Sequence, residues 1–344
     1  MKKTSRVFLQ LLMILVLSSC TVYRQIPIEV LRTEEVRLNV AKPNIAFVYR
    51  NFKFQNDTMQ HYYLEDEVLL SDSKNGEIEI DSMVVGICLE GAANALKKNG
   101  VCENPVFYPL DIFPRQTGER VFALPADLIR KMVMPAKADY LVSLETLSYF
   151  FSRYNQHGDD NAFQKVRMAA IWNLYDGTTG KIQDHKTMVD TLYWDFDPGN
   201  TSQKQSMFPP RIPAMQQAAL VFGENYAKRF YSEWLTVDRT IIVPPLEDFR
   251  VAGEYVTNQE WDKAAGIWKK YADNRFGRLA VSACYNLALS AEISDDLPGA
   301  MNWINSATKM ALSYAKSEEL KLALQYQGIL KLRVQEIEKS KTRE

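Results

Sequence analysis

Histidine occurs only three times in 344 residues, at positions 61, 157 and 185. So few imidazoles leave little material for acid–base or metal chemistry. No Ser, His and acid constellation stands out, and neither GxSxG nor HExxH is present. Cysteine occurs four times without a CxxC or HxxxH spacing, which argues against a zinc site. An excess of one charge is missing too: 41 Lys and Arg stand against 42 Asp and Glu, a formal net charge of -1. That balance gives no general attraction to nucleic acid. Low complexity is confined to the charged tail "EIEKSKTRE". The long apolar run of a membrane span is also absent, since Val7 to Leu17 gives about eleven residues where roughly twenty are needed.

That short run fits the apolar core of a secretory signal. Lys2, Lys3 and Arg6 precede it, and Leu17-Ser18-Ser19-Cys20 comes after it. This ending resembles the lipobox of bacterial lipoproteins. The resemblance implies that residues 1–19 are removed and that Cys20 becomes a lipidated N-terminus, anchored by its acyl chains. Thr21 stands where a sorting Asp would be, and lipoprotein sorting then implies the outer membrane, facing the periplasm.

Residues 20–43 read as a tether, or as edge strands of the neighbouring domain. From 44 to 240 the pattern is a mixed α/β domain. "NIAFVYRNF" is a short β-branched and aromatic run, hence a buried strand. Residues 55–80 read as a long polar loop with one hairpin. Asp81 and Ser82 can cap a helix running to Asn99-Gly100. "NPVFYPL" is a second strand, "LPADLIRKMVM" a second helix and "ADYLVSLETLSYFF" a third strand. A long helix spans "PAMQQAALVFGENYAKRFYSEWL", with apolar residues at helical spacing. Cys88 sits early in the first helix and Cys102 past its end. They are on the order of 15 Å apart, beyond disulfide reach, and together with Cys284 they read as buried thiols.

"WNLYDGTTGKIQ" invites a phosphate-cradle interpretation. A P-loop needs GxxxxGK[ST] opening into a helix. Here Gly177 and Gly180 lie too close, Ile182 comes directly after Lys181, and both flanks alternate as strands. Asp176-Gly177 is instead a turn pair between two strands. "QHGDD", with His157, Asp159 and Asp160, reads in the same way as a polar hairpin loop rather than a metal site.

The matching pieces "NIAFVYRNF", "ADYLVSLETL" and "VRMAAIWNLYDGTTGKI" give a domain that resembles the α/β domain of curli-secretion-channel-like lipoproteins and the amino-terminal domain of the TolB translocation protein. The chain departs from the curli channels in lacking a pair of long amphipathic hairpins for a membrane barrel.

After Pro244-Pro245, residues 246–339 read as helical. Two segments superpose at a constant offset of 36: Ala252 on Ala288, Trp261 on Leu297, Ala264 on Ala300 and Trp268 on Ile304. The pattern resembles the tetratricopeptide repeat. Small Ala lets paired helices approach, and large Trp268 and Ile304 fill the space toward the neighbouring pair. "SEELKLALQYQGILKLRVQEI" reads as a capping helix. The fold class expected is therefore a mixed α/β sandwich domain followed by a helical repeat domain. The whole resembles a group of uncharacterised bacterial envelope lipoproteins that pair these two parts. The expectation is an anchored adaptor without enzymatic activity or cofactor, binding the membrane through its lipid and envelope proteins or peptides through its domains. Two alternatives stand beside it: an oligomeric part of a secretion or assembly complex, and a periplasmic hydrolase using a His or an acid pair from the 55–80 or 153–162 loops.

Overall fold

A computed structural model describes residues 21–57, 62–154, 163–195, 208–314 and 317–341. Residues 1–19, Cys20, His61 and the "QHGDD" loop lie outside them. The chain divides into two compact units, one built from residues 34–232 and the other from residues up to 33 together with 233–344.

In the 34–232 unit, β2 (Ile45–Tyr49) is a continuous apolar run and is wholly buried. Such a run suits a strand covered on both faces. It pairs in parallel with β6 (Val106–Phe107) on one side and with β8 (Tyr140–Tyr154) on the other. β8, β9 (Phe163–Asp176) and β10 (Ile182–Asp195) then form a long antiparallel meander. The sheet order is β10-β9-β8-β2-β6, and β4 (Tyr62–Glu65) joins β8 beyond the end of β2, carrying β5 (Val68–Ser71) with it. β3 (Phe52–Phe54) and β7 (Gln116–Gly118) pair separately.

Two helices cover one face of this sheet: α1 (Lys74–Lys98) and α3 (Arg211–Ala227). Their backbones come close where glycines meet. A Cβ on Gly223 would stand 2.0 Å from the Cys88 carbonyl oxygen, and one on Gly91 would stand 2.5 Å from that of Leu220. Trp172 of β9 stacks on Tyr226 of α3 with ring centroids 4.1 Å apart. Helix α2 (Ala126–Ala136) covers part of the other face, packing Ile129, Met132 and Val133 on Ala46, Val48 and Leu141.

Two boundaries differ from expectation. α1 starts nine residues before Met83, because the Ser73 side chain accepts from the Gly76 N–H and caps it there. Asp81 is thereby placed inside the helix. α3 stops at Ala227 and passes through a 3-10 turn, Lys228–Phe230, rather than continuing to Leu235. Glu233–Val243 forms β11, whose β-branched residues favour a pleated strand.

The partner of β11 is the segment read as a tether or as edge strands of the neighbouring domain. β1 (Val22–Arg32) pairs with it antiparallel along its full length, from Val22 opposite Val243 to Arg32 opposite Glu233. Ile26, Ile28 and Val30 are buried in this unit's core. Asn286 locks the ribbon to a helix, donating to the Ile242 carbonyl at 2.7 Å and accepting from the Ile242 N–H at 3.0 Å. The rest of the unit is helical: α4 (Glu247–Thr257), α5 (Trp261–Lys269), α6 (Arg278–Ile293), α7 (Leu297–Tyr314) and α8 (Ser317–Lys341).

Candidate functional site

The helical region carries the clearest internal order. α4 and α6 end alike: Asn258 has φ -90° and ψ 8°, Ser294 φ -83° and ψ 9°. The next residues, Gln259 and Asp295, are both left-handed, at φ 61° and 58°. The hydrogen bonds repeat as well. Glu260 N–H donates to the Tyr255 carbonyl at 2.8 Å and Asp296 N–H to the Ala291 carbonyl at 2.9 Å. One chain geometry thus serves two helix-to-helix turns, thirty-six residues apart. Within this frame Ala252, Ala264, Trp268, Ala288, Leu297, Ala300 and Ile304 all lie in one core, and Trp261 is half-buried at its edge.

The two turns differ in one respect. Asp296 accepts from the Gly299 N–H at 2.9 Å and so caps α7, whereas Glu260 makes no side-chain cap for α5. The shorter Asp side chain suits the capping position.

α8 closes the array with Ala323, Tyr326 and Leu330 buried, at the i, i+3, i+7 spacing of one helix face. Its other face exposes Leu324, Ile329 and Leu332. They stand among the exposed Lys321, Gln325 and Lys331 on that face.

Buried charges stitch this unit together. Glu292 of α6, with no exposed side-chain surface, receives Arg239 at 3.1 Å on both oxygens, the Tyr326 hydroxyl at 2.6 Å, and Arg333. Burial alone would raise its carboxyl pKa. The hydrogen bonds from Arg239 and Tyr326 and the two guanidinium charges hold it below the usual range instead.

In the 34–232 unit a bulge between Leu144 and Thr146 sets Glu145 in the interior of the sheet. Arg50 donates to it at 3.1 Å, Asn173 at 2.9 Å and the Tyr175 hydroxyl at 3.0 Å. Asn173 in turn meets His185 Nδ1 at 2.7 Å. Burial first, and then the Glu145 charge, pushes the Tyr175 hydroxyl up to about 12. A second cluster joins Lys53 to Asp81 at 3.3 Å and Asp81 to the Tyr149 hydroxyl at 2.7 Å. Burial lowers the Lys53 pKa, against the pull of Asp81. Most of these polar atoms are used on one another or on backbone carbonyls, as Arg50 on Phe122 and Lys53 on Leu147. The acid of the first cluster lies inside an apolar strand, "YLVSLETLSY", which by itself names no partner.

The "DGTTGK" segment is a hairpin loop. Its backbone N–H groups are already taken: Gly177 donates to the Asp139 carbonyl at 2.7 Å, Gly180 to that of Asp176 at 2.8 Å, and Thr179 to Asp176 Oδ1 at 2.7 Å. Gly180 has φ 69°. Nothing in this arrangement faces a phosphate. A cleft of about 220 Å³ lies along β10 and α3, lined by Met168, Leu192, Ala218 and Phe222 together with Asp190 and Asn225, which bond to each other. Cys88, Cys102 and Cys284 are free and buried. Among the described residues no three His, Cys, Asp or Glu side chains gather to hold a metal ion, and no helix is long and apolar enough to cross a membrane.

These features define a multi-domain protein with a mixed α/β sheet portion and a portion of paired helices. Residues 43–241 match the family described as a domain of unknown function, DUF8603, and the chain belongs to that family. Residues 250–332 match a second domain of unknown function, DUF6340. No curated protein matches the chain. Among solved structures it is similar to PelC dodecamers from Paraburkholderia phytofirmans. One, in space group C2, is 10% identical, covering 62% of this chain and 99% of that chain at a TM-score of 0.23. Another, in space group P6, is 9% identical with the same coverage at a TM-score of 0.24. Protein XCC0632 from Xanthomonas campestris is 10% identical, covering 56% of this chain and 90% of that chain at a TM-score of 0.24. Likenesses at this level say nothing about what the chain binds.

Proposed function

We propose that the chain is a non-enzymatic adaptor of the bacterial cell envelope, anchored by lipid on Cys20 and facing the periplasm from the outer membrane. It holds partner proteins or peptides on its helical portion, which is a short tetratricopeptide-like array. The observation that carries this is the outer face of α8, where Leu324, Ile329 and Leu332 stand exposed among polar and charged neighbours. Exposed large apolar side chains on an otherwise charged helix favour a protein partner. The shared turn geometry at Gln259 and Asp295 supports the repeat assignment, and the motif ending at Cys20 supports the anchor.

A photo-crosslinking residue at Ile329 in living cells tests this. A discrete adduct is expected, lost when Leu324→Asp and Leu332→Asp are introduced. Adducts no stronger than at the exposed Lys309 would sink the adaptor reading. Separately, Cys20→Ala is expected to leave unprocessed precursor without acyl label.

The second reading is an oligomeric part of a secretion or assembly complex. It is favoured by β10, which among the described strands pairs only with β9 and exposes Val189 and Tyr193. An open edge of this kind is a template for pairing with another chain. Light scattering that reports a monomer at high concentration would remove this alternative.

A further inference from the structure

One side of α8 packs into the helical unit. Ala323, Tyr326 and Leu330 are buried there, and the Gln327 amide donates to Asn305 of α7 at 2.7 Å at the margin of that side. On the opposite side Leu324, Gly328 and Leu332 recur every four residues, and residues four apart turn through only about 40° on a helix. Leu324 is 49% exposed and Leu332 61%. Lys321, Gln325 and Lys331 stand three or seven residues from Gly328, so they share its face, and all three are exposed.

Nothing inside the chain accounts for Gly328. A Cβ built there meets no atom within 4 Å, and glycine weakens a helix interior relative to alanine. Gly266 of α5 is equally open, but its neighbours four residues away are the charged Asp262 and Lys270. At Gly328 those neighbours are leucines. The result is a low spot between two apolar side chains, where the backbone of a crossing helix can approach closely.

Charge on this face has one sign where it matters. From residue 321 to residue 332 its exposed charges are Lys321 and Lys331, neither of them in an ion pair among the described residues. The exposed acids Glu318, Glu336 and Glu338 lie outside that span. A second α8 laid on the first would bring two pairs of lysines together, and like charges disfavour that. A lipid surface would gain nothing from a glycine at the centre.

We infer that this face of α8 takes an amphipathic helix of a partner protein. The partner helix crosses at Gly328, sets an apolar residue between Leu324 and Leu332, and carries Asp or Glu beside Lys321 and Lys331. This rests on the adaptor reading above and names the chemistry of the partner.

The test uses the full chain in living cells with a photo-crosslinking residue at Gln325. The adduct is digested and the joined segment is sequenced. A segment with apolar residues at helical spacing and flanking acids is expected. Lys321→Glu together with Lys331→Glu should lower the adduct yield about tenfold, and Lys309→Glu should leave it unchanged. Gly328→Ala should lower the yield about fivefold while raising the melting temperature of the purified chain by about 2 °C, because alanine favours helix and fills the low spot. A glycine with a merely structural role would not separate those two readouts. A basic joined segment, or a yield unmoved by the charge reversals or by Gly328→Ala, overturns the acidic helix and leaves the adaptor reading standing. A joined segment from α8 of a second copy overturns it in favour of the oligomeric reading. Lipid adducts alone, or a yield no higher than at Lys309, overturn both the acidic helix and the adaptor.

Discussion

Gln259 and Asp295 adopt the same left-handed backbone at equivalent points of two helix turns. The conformation costs an L-residue about 1–2 kcal/mol, and less for Asp, whose short side chain bonds locally. Gln259→Gly is therefore expected to stabilise the protein slightly and Asp295→Gly to be close to neutral, because glycine's greater freedom in the unfolded chain offsets the relief. Gln259→Val should destabilise more than either. Urea midpoints of the three variants check the order, and a neutral Gln259→Val would contradict it.

Capping separates the two turns. Asp296→Ala removes the acceptor for the Gly299 N–H and is expected to cost about 1 kcal/mol. Glu260→Ala, at the equivalent position, removes no cap and is expected to change little. Equal losses from the two substitutions would show that the Asp296 cap contributes nothing.

Glu292 neutralises two arginines in the interior of the helical unit. Removing one partner of a buried set leaves uncompensated charge, so Glu292→Ala is expected to cost about 3–5 kcal/mol. The folded-state pKa lies below the ordinary value of 4.5. The associated stability is thus fully present above that value and is lost as the pH falls through the lowered one. Stability measured from neutral pH down to about pH 3 should therefore decline more steeply in the parent than in Glu292→Gln, which starts lower. Parallel curves would remove the assignment.

Where α1 crosses α3, Gly223 leaves no room for a methyl group beside the Cys88 carbonyl. Gly223→Ala must push the helices apart, and an overpacked core of this kind costs about 1–3 kcal/mol. Gly266→Ala, at a helical position with open space, is expected to be neutral or mildly stabilising, since Ala favours helix over Gly. Thermal unfolding of the pair distinguishes crowding from propensity.

Thiol chemistry gives an independent check on burial. Desolvation raises Cys88 far above the ordinary thiol range and Cys284 to about 11, and it also raises Cys102. A thiolate is the reactive form. An aromatic disulfide reagent at about pH 8 is expected to label none of the three until urea is added, and rapid labelling of the native protein would contradict the interior placement.

Much of the α/β portion was legible because its signals are local. β9 alternates along its length, Asp176-Gly177 marks the turn, and the continuous run at β2 is what a doubly covered strand requires. The repeat offset was legible because Ala252, Ala264, Ala288 and Ala300 must each be small at a close helix contact. β1 was legible only as a tether or edge strands, since Pro27 weakens its strand pattern and its partner lies at the far end of the chain. Arg24 bonds to the Gly253 carbonyl, 229 residues away. The end of α3 was misread because Phe230 and Leu235 continue the helical spacing across a break that only pairing with β1 imposes. Glu145 and Glu292 gave no signal of their role because a lone acid in an apolar run names no partner, and Arg50, Arg239 and Arg333 are distant in sequence.

The ribbon of β1 and β11 also sets an order of events. The 34–232 unit is inserted into a body whose first strand is synthesised long before the strand that completes it. Val22 to Arg32 must wait with Ile26, Ile28 and Val30 uncovered until residues 233–243 arrive. The helical body is therefore the last part of the molecule to mature, and a chain halted anywhere in the α/β portion leaves an apolar strand without its partner.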